Sequence, residues 1–224
     1  MIRKIFSGFL LFMTTAVPSA VFAEDDMQAW FPIKAQGHVT DKVLWSMELE
    51  TRLFDNMSEF GSQSAAPAIG YQLNDNWSVW QGFKWEGKYD SLNDTWNHEY
   101  RPYQQLNASY KLFDNVTFKT RTRFEERNFA NGDDFSFRMR QLFRGEYALT
   151  DRTYLAASEE LFFNLNDTIQ RPDGFSQNRI FGGFGYKVTD NATIETGYMR
   201  RFDEGFIGPD KDTNIWVTTL GFSF

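Results

Sequence analysis

The chain has 224 residues, a net charge of −7, no cysteine, and 18% aromatic beside 24% charged residues at a mean hydropathy of −0.50. The acidic balance argues against a nucleic-acid partner, and the missing cysteines exclude thiol chemistry and a disulfide-held fold. Many rings next to many charges fit strands whose alternate side chains meet two different environments.

The first 23 residues have a basic start (Arg3, Lys4), an apolar centre from Ile5 to Ala16 and a small-residue end at Val21-Phe22-Ala23. This pattern predicts a secretory signal over 1–23, cleaved between Ala23 and Glu24. Its apolar run is shorter than the roughly 20 residues that a spanning helix needs. No later segment is long and apolar enough to cross as a helix, so membrane residence requires a barrel. Residues 24–42 read as a lead-in. Within them Trp30 to Val39 is strand-like, but an eleventh strand would break the even count of single-chain bacterial barrels, so it is a periplasmic or lumenal segment or one of two further strands.

The barrel is assigned to 43–224. Strand-like runs fall at 43–55, 66–73, 77–88, 99–112, 116–127, 135–149, 153–164, 177–188, 193–202 and 214–224. Short polar turns at Thr40-Asp41-Lys42, Asn74-Asp75-Asn76, Asp114-Asn115, Thr150-Asp151-Arg152 and Thr189-Asp190-Asn191 alternate with longer polar connections at 56–65, 89–98, 128–134, 165–176 and 203–213. Tight hairpin turns on one side and long loops on the other are the asymmetry of an outer-membrane barrel. The fold class expected is all-β, an antiparallel transmembrane barrel of ten strands, or twelve.

Residues 116–144 carry the clearest alternation. Thr117, Lys119, Arg121, Arg123, Glu125 and Arg127 fall on one parity, against Val116, Phe118, Thr120, Thr122 and Phe124 on the other. Beyond Asn131-Gly132-Asp133-Asp134 the pattern resumes, with Arg138, Arg140 and Arg144 against Phe137, Met139 and Phe143. In a soluble sandwich the apolar face would be core; in an outer-membrane barrel it meets lipid and the charged face lines the lumen. The predicted lumen therefore carries Arg101, Lys119, Arg121, Arg123, Arg127, Arg138, Arg140 and Arg144, with Glu99, Glu125 and Glu146 on the same faces. Rings near the short turns (Trp45, Tyr71, Trp77, Tyr110, Phe113, Phe118, Tyr147, Tyr154, Tyr186) predict an interfacial girdle.

The last run ends on Trp216, Thr218, Leu220, Phe222 and Phe224, all on one face. It resembles the C-terminal signal read by the barrel-assembly machinery, with Phe222 and Phe224 as its aromatic end. His98 to Leu106 (HEYRPYQQL), Arg121, Arg123, Glu126 and Arg127, the pair Arg138 and Arg140, Glu159 to Asp167 (EELFFNLND) and Gln177 to Tyr186 (QNRIFGGFGY) are similar to a bacterial family known chiefly as a domain of unknown function, whose members are taken to be small outer-membrane barrels. A looser likeness runs to monomeric porins for acidic oligosaccharides, whose lumens carry arginine tracks. The resemblance implies a monomer in the outer membrane of a Gram-negative bacterium, in contact with lipid and lipopolysaccharide.

Two readings compete for the charged face. A basic wall would attract small anionic solutes in a passive, mildly anion-selective pore. Arginines each matched by a glutamate would instead brace a non-conducting structural or surface-interaction barrel. A lipid-modifying enzyme ranks below both: only His38 and His98 exist, and Ser91 near His98 lies in no nucleophile motif. No catalytic residue, cofactor or metal site is expected. The acidic loops (Asp55 and Glu59, Asp90 and Asp94, Asp133 and Asp134, Asp167 and Asp173, Asp203, Glu204, Asp210 and Asp212) suit divalent cations in donor type but show no ligand spacing, and read as solvated. The run Gly182-Gly183-Phe184-Gly185 lies in a strand pattern, where glycine gives room for close packing.

Overall fold

A computed structural model describes residues 26–130, 135–168, 171–206 and 208–224. The predicted cleavage site at Ala23 and Glu24, and Asp133 and Asp134, lie outside the described residues. Eleven strands run in chain order: β1 (Met27–His38), β2 (Val43–Phe54), β3 (Glu59–Gln72), β4 (Trp77–Asp90), β5 (Thr95–Phe113), β6 (Val116–Phe129), β7 (Phe135–Ala148), β8 (Thr153–Asn164), β9 (Gly174–Lys187), β10 (Ala192–Asp203) and β11 (Lys211–Ser223). Sequential neighbours pair antiparallel, and β1 closes the barrel against β11 in parallel. Closure leaves no free edge, as a sheet in lipid requires.

The count corrects the expected ten or twelve. The stretch assigned to a lead-in over 24–42 supplies β1, and the even-number rule fails because β1 joins its neighbour in parallel. Pairing with β11 runs from Met27↔Asn214 to Gln36↔Ser223 and is interrupted at Phe31 and Pro32. Proline has no N–H to give a ladder. Strands also reach further than the apolar pattern indicated: β3 starts at Glu59 rather than 66 and β5 at Thr95 rather than 99. Where strands rise above lipid both faces are wet, so hydrogen bonding continues after the hydropathy alternation has stopped.

Side chains follow the parity. The outer wall exposes Phe31, Ile33, Leu49, Ile69, Phe83, Phe124, Phe137, Phe143, Leu155, Phe184 and Trp216, the apolar band of a transmembrane barrel. At the short-turn end Trp77 meets Tyr110 edge-on and Phe224 stacks on Trp45 with centroids 6.0 Å apart. A second set of rings, Phe60, Tyr89, Trp96, Phe163, Phe175 and Phe202, marks the long-loop end. Tyr154 departs from the predicted girdle. It shares parity with Ala156 and Glu160, faces the lumen, and lies over Gly185, where a Cβ would come within 2.0 Å of its ring. Inside the seam, Trp30, Ala156, Phe181, Ile215 and Val217 form a small apolar cluster that Tyr154 and Met199 cover. One side of the interior is thus packed core, and charge fills the other.

Candidate functional site: the charged lumen

The cavity in the barrel measures about 840 Å³. Its wall runs from Gln36, Thr219 and Ser223 at the short-turn end to Asn164, Arg171 and Glu204 at the long-loop end. Among the described residues, thirteen lysines and arginines line it against seven carboxylates. Arg101, Lys119, Arg121, Arg123, Arg127, Arg138, Arg140 and Arg144 are all on this wall. Glu99, Glu125 and Glu146 sit behind them and are reached by those same cations.

The antiparallel register explains the pairing pattern. On β6 and β7, Lys119 stands directly opposite Arg144 and Arg123 directly opposite Arg140, two like-charge pairs that would repel. Each has a carboxylate set between its members. Glu146 is 2.8 Å from both Lys119 and Arg144. Glu125, fully buried, accepts from Arg140 at 2.7 Å and from Arg138 Nε at 3.0 Å, and lies 3.7 Å from Arg123. Arg140 forks between strands, holding Glu125 on one side and Glu160 of β8 at 2.8 Å on the other. Two-pronged guanidinium binding is what a lysine could not supply here.

Several members were missed in the sequence. Glu160 also takes Arg121 at 2.5 Å and stands 3.9 Å from Arg179. Toward the long loops, Glu86 of β4 meets Arg101 at 2.9 Å and Arg52 of β2 at 3.4 Å, while Glu50 meets Arg52 at 2.5 Å and Lys84 at 3.8 Å. Glu99 accepts from Arg101 Nε at 2.6 Å and Arg127 Nε at 2.5 Å. The signal for β2 was legible, since Glu48, Glu50 and Arg52 alternate with Met47, Leu49 and Thr51. No periodicity could have shown Trp30. Its strand was set outside the barrel, yet its ring is 2% exposed and carries the Arg52 guanidinium 3.9 Å above it. Arg123 lies 4.0 Å over Tyr103 in the same way. Guanidinium on ring is a second means of holding these cations in place.

The pairing is incomplete. Nε of Arg121 and of Arg179 is buried with no hydrogen-bond acceptor, and Arg123 finds an amide, Gln105 Oε1, at 2.7 Å rather than a close carboxylate. Cations thus outnumber carboxylates on the cavity lining, although most of them have a carboxylate within reach. Such a wall can attract an anion and offer it donors, and neither step requires a group that reacts.

The residues weighed for catalysis are not brought together. His98 points outward and stacks with Trp85 and Trp96, at 5.9 Å and 6.5 Å between centroids, while the Ser91 hydroxyl donates to Glu59 at 3.0 Å. No group of three or more possible metal ligands exists among the described residues. Phe222 and Phe224 end the outer face of β11, and the Phe224 amide donates to the Gln36 carbonyl at 3.0 Å.

The profile of a family described as Protein of unknown function (DUF2490) matches residues 27–211. An uncharacterized protein of Methylorubrum extorquens is 30% identical over 203 residues, covering 89% of this chain and 88% of its own length. Among solved structures, a KdgM porin shares 14% identity with a TM-score of 0.47, and KdgM porin in complex with disordered oligogalacturonate shares 14% with 0.48; each alignment covers 88% of this chain and 99% of the other.

Proposed function

The chain belongs to the DUF2490 family of proteins of unknown function, and from that premise we propose that it is an outer-membrane barrel through which small anionic solutes pass passively. The observation that carries this reading is one cavity with a cationic excess whose lining reaches both ends of the barrel. A narrow tube with low-dielectric walls focuses the field of unmatched arginines, so anions are concentrated at the mouth and met by preset donors inside. The bridged arginines keep the wall in shape, and Arg121 and Arg123, which are less fully matched, supply the selectivity. Location in the outer membrane, contact with lipopolysaccharide and delivery by the barrel-assembly machinery belong to the same proposal. They rest on the apolar outer band and the terminal aromatic pair.

Planar-bilayer recording of the refolded protein in a potassium chloride gradient tests it. Steady channels whose reversal potential favours chloride are expected, with the preference reduced in an Arg121→Ala/Arg123→Ala variant. Cation selectivity, or an unchanged preference in a conducting double variant, removes these residues from the mechanism. A second reading has its own observation: Glu125 is fully buried among guanidiniums, as a structural brace would be. A folded barrel with no conductance would favour that brace.

A further inference from the structure

The lumen is not equally wide along its length. At the short-turn end the cavity-lining side chains of Lys34, Glu48 and Lys119 are 52%, 33% and 44% exposed. Toward the middle and the long loops the inward-facing charges are nearly covered: Glu50, Lys84, Arg101, Arg123, Arg127 and Arg140 are all buried. On the other side of the tube Trp30 is 2% exposed, and Phe162, Thr213 and Ile215 are 0% exposed. The space open to water therefore narrows from the short-turn end upward.

Two of these buried groups are rings, one on β1 and one on β8, and each carries guanidiniums. Trp30 is fixed by its Nε1–H, which donates to Gln28 Oε1 at 3.1 Å, and Gln28 in turn donates to Asp26 at 2.6 Å. The Arg52 guanidinium lies 3.9 Å from the Trp30 ring centre. Phe162 carries Arg140 at 4.8 Å and Arg138 at 5.2 Å. Arg179 of β9 reaches both rings, 5.0 Å from Trp30 and 4.6 Å from Phe162. A ring face attracts a guanidinium, most strongly where water is kept out. All four guanidiniums line the cavity, so the rings act as pedestals that hold charge out from the wall and into the lumen. Barrels of about eight strands are filled by their own side chains, and those of about sixteen hold an open channel. At eleven strands, pedestals of this kind decide what bore remains.

We propose that Arg179, seated between Trp30 and Phe162 and flanked by Arg52, Arg138 and Arg140, is the constriction of the lumen and sets the size limit for solutes, with a wider vestibule at the short-turn end. As a filter this level rests on the lumen being an anion pore, but the two fail separately. The anion pore is judged by the sign of selectivity, the constriction by the size of the conductance.

Planar-bilayer recording of the refolded protein in symmetric potassium chloride tests it, with folding judged by heat-modifiable gel mobility. Trp30→Ala should raise the single-channel conductance severalfold, while Gln36→Ala, in the vestibule, should leave it at the wild-type value. Phe162→Leu, which keeps the site apolar, should raise it too and decides the matter if Trp30→Ala does not fold. A cation-selective or silent wild type with a larger conductance in Trp30→Ala would sink the anion pore and uphold the constriction. Folded ring variants with unchanged or lower conductance, an equal gain from Gln36→Ala, or no conductance in any folded form would overturn the proposal.

Discussion

Glu125 shows how a single residue's role depends on its neighbours across the sheet. In the sequence it is one acid in an alternating run. In the barrel it separates Arg123 and Arg140, which register places face to face, and also takes Arg138. Replacing it with glutamine keeps the shape but leaves three guanidiniums short of a charge partner. Removing one member of a buried ionic cluster typically costs about 3–5 kcal/mol. Glu125→Gln should therefore lower the urea midpoint of the refolded barrel markedly, whereas Glu59→Gln at the exposed rim should change it by less than about 1 kcal/mol. Equal effects would mean that the inner network carries little stability. The arginine-rich face could be read from alternation alone. Which arginine meets which carboxylate could not, because the partners come from other strands and register is a property of the assembled hairpins.

Among the elements, β4 and β5 show why glycine interrupts an otherwise regular strand. A Cβ on Gly82 would lie 2.1 Å from the Tyr103 ring, and that ring supports Arg123. Gly82→Ala should push Tyr103 aside and cost about 1–3 kcal/mol by overpacking, measurable as a lower unfolding midpoint. A tolerated alanine would show that Tyr103 has space to move. At the closing strand, Phe224 combines a ring stack on Trp45 with a backbone bond to Gln36. Deleting Phe224 should reduce the fraction of chains reaching the heat-modifiable folded form in cells, and normal yield would remove it from assembly. The hairpins of β5–β6 and β7–β8 were readable from turn chemistry and period two. The lead-in was misassigned because the strand count was held to an even number, a rule that presumes antiparallel closure.

For the whole molecule, the parallel closure has a topological consequence. β1 and β11 run the same way, so Met27 begins at the long-loop end, where Asp26 accepts from the Asn56 amide at 3.2 Å. If the long loops face outward, a membrane-impermeant maleimide should label Asp26→Cys on intact cells as readily as Ser91→Cys, and should not label Asp75→Cys. The native chain contains no cysteine to confuse the result. Labelling of Asp75→Cys but not Asp26→Cys would place the first strand otherwise.

The sequence by itself determined that this chain is a barrel with a greasy outside and a charged inside. Those properties are carried by alternation, turn spacing and the lack of any helix-length apolar run, all of them local. Only the tertiary structure decided that the eleven strands close through a parallel β1–β11 pair, that Trp30 belongs to the interior, and that the arginines are partly matched by Glu160, Glu86 and Glu50. These depend on shear and register around a closed sheet, where residues far apart in the chain become neighbours.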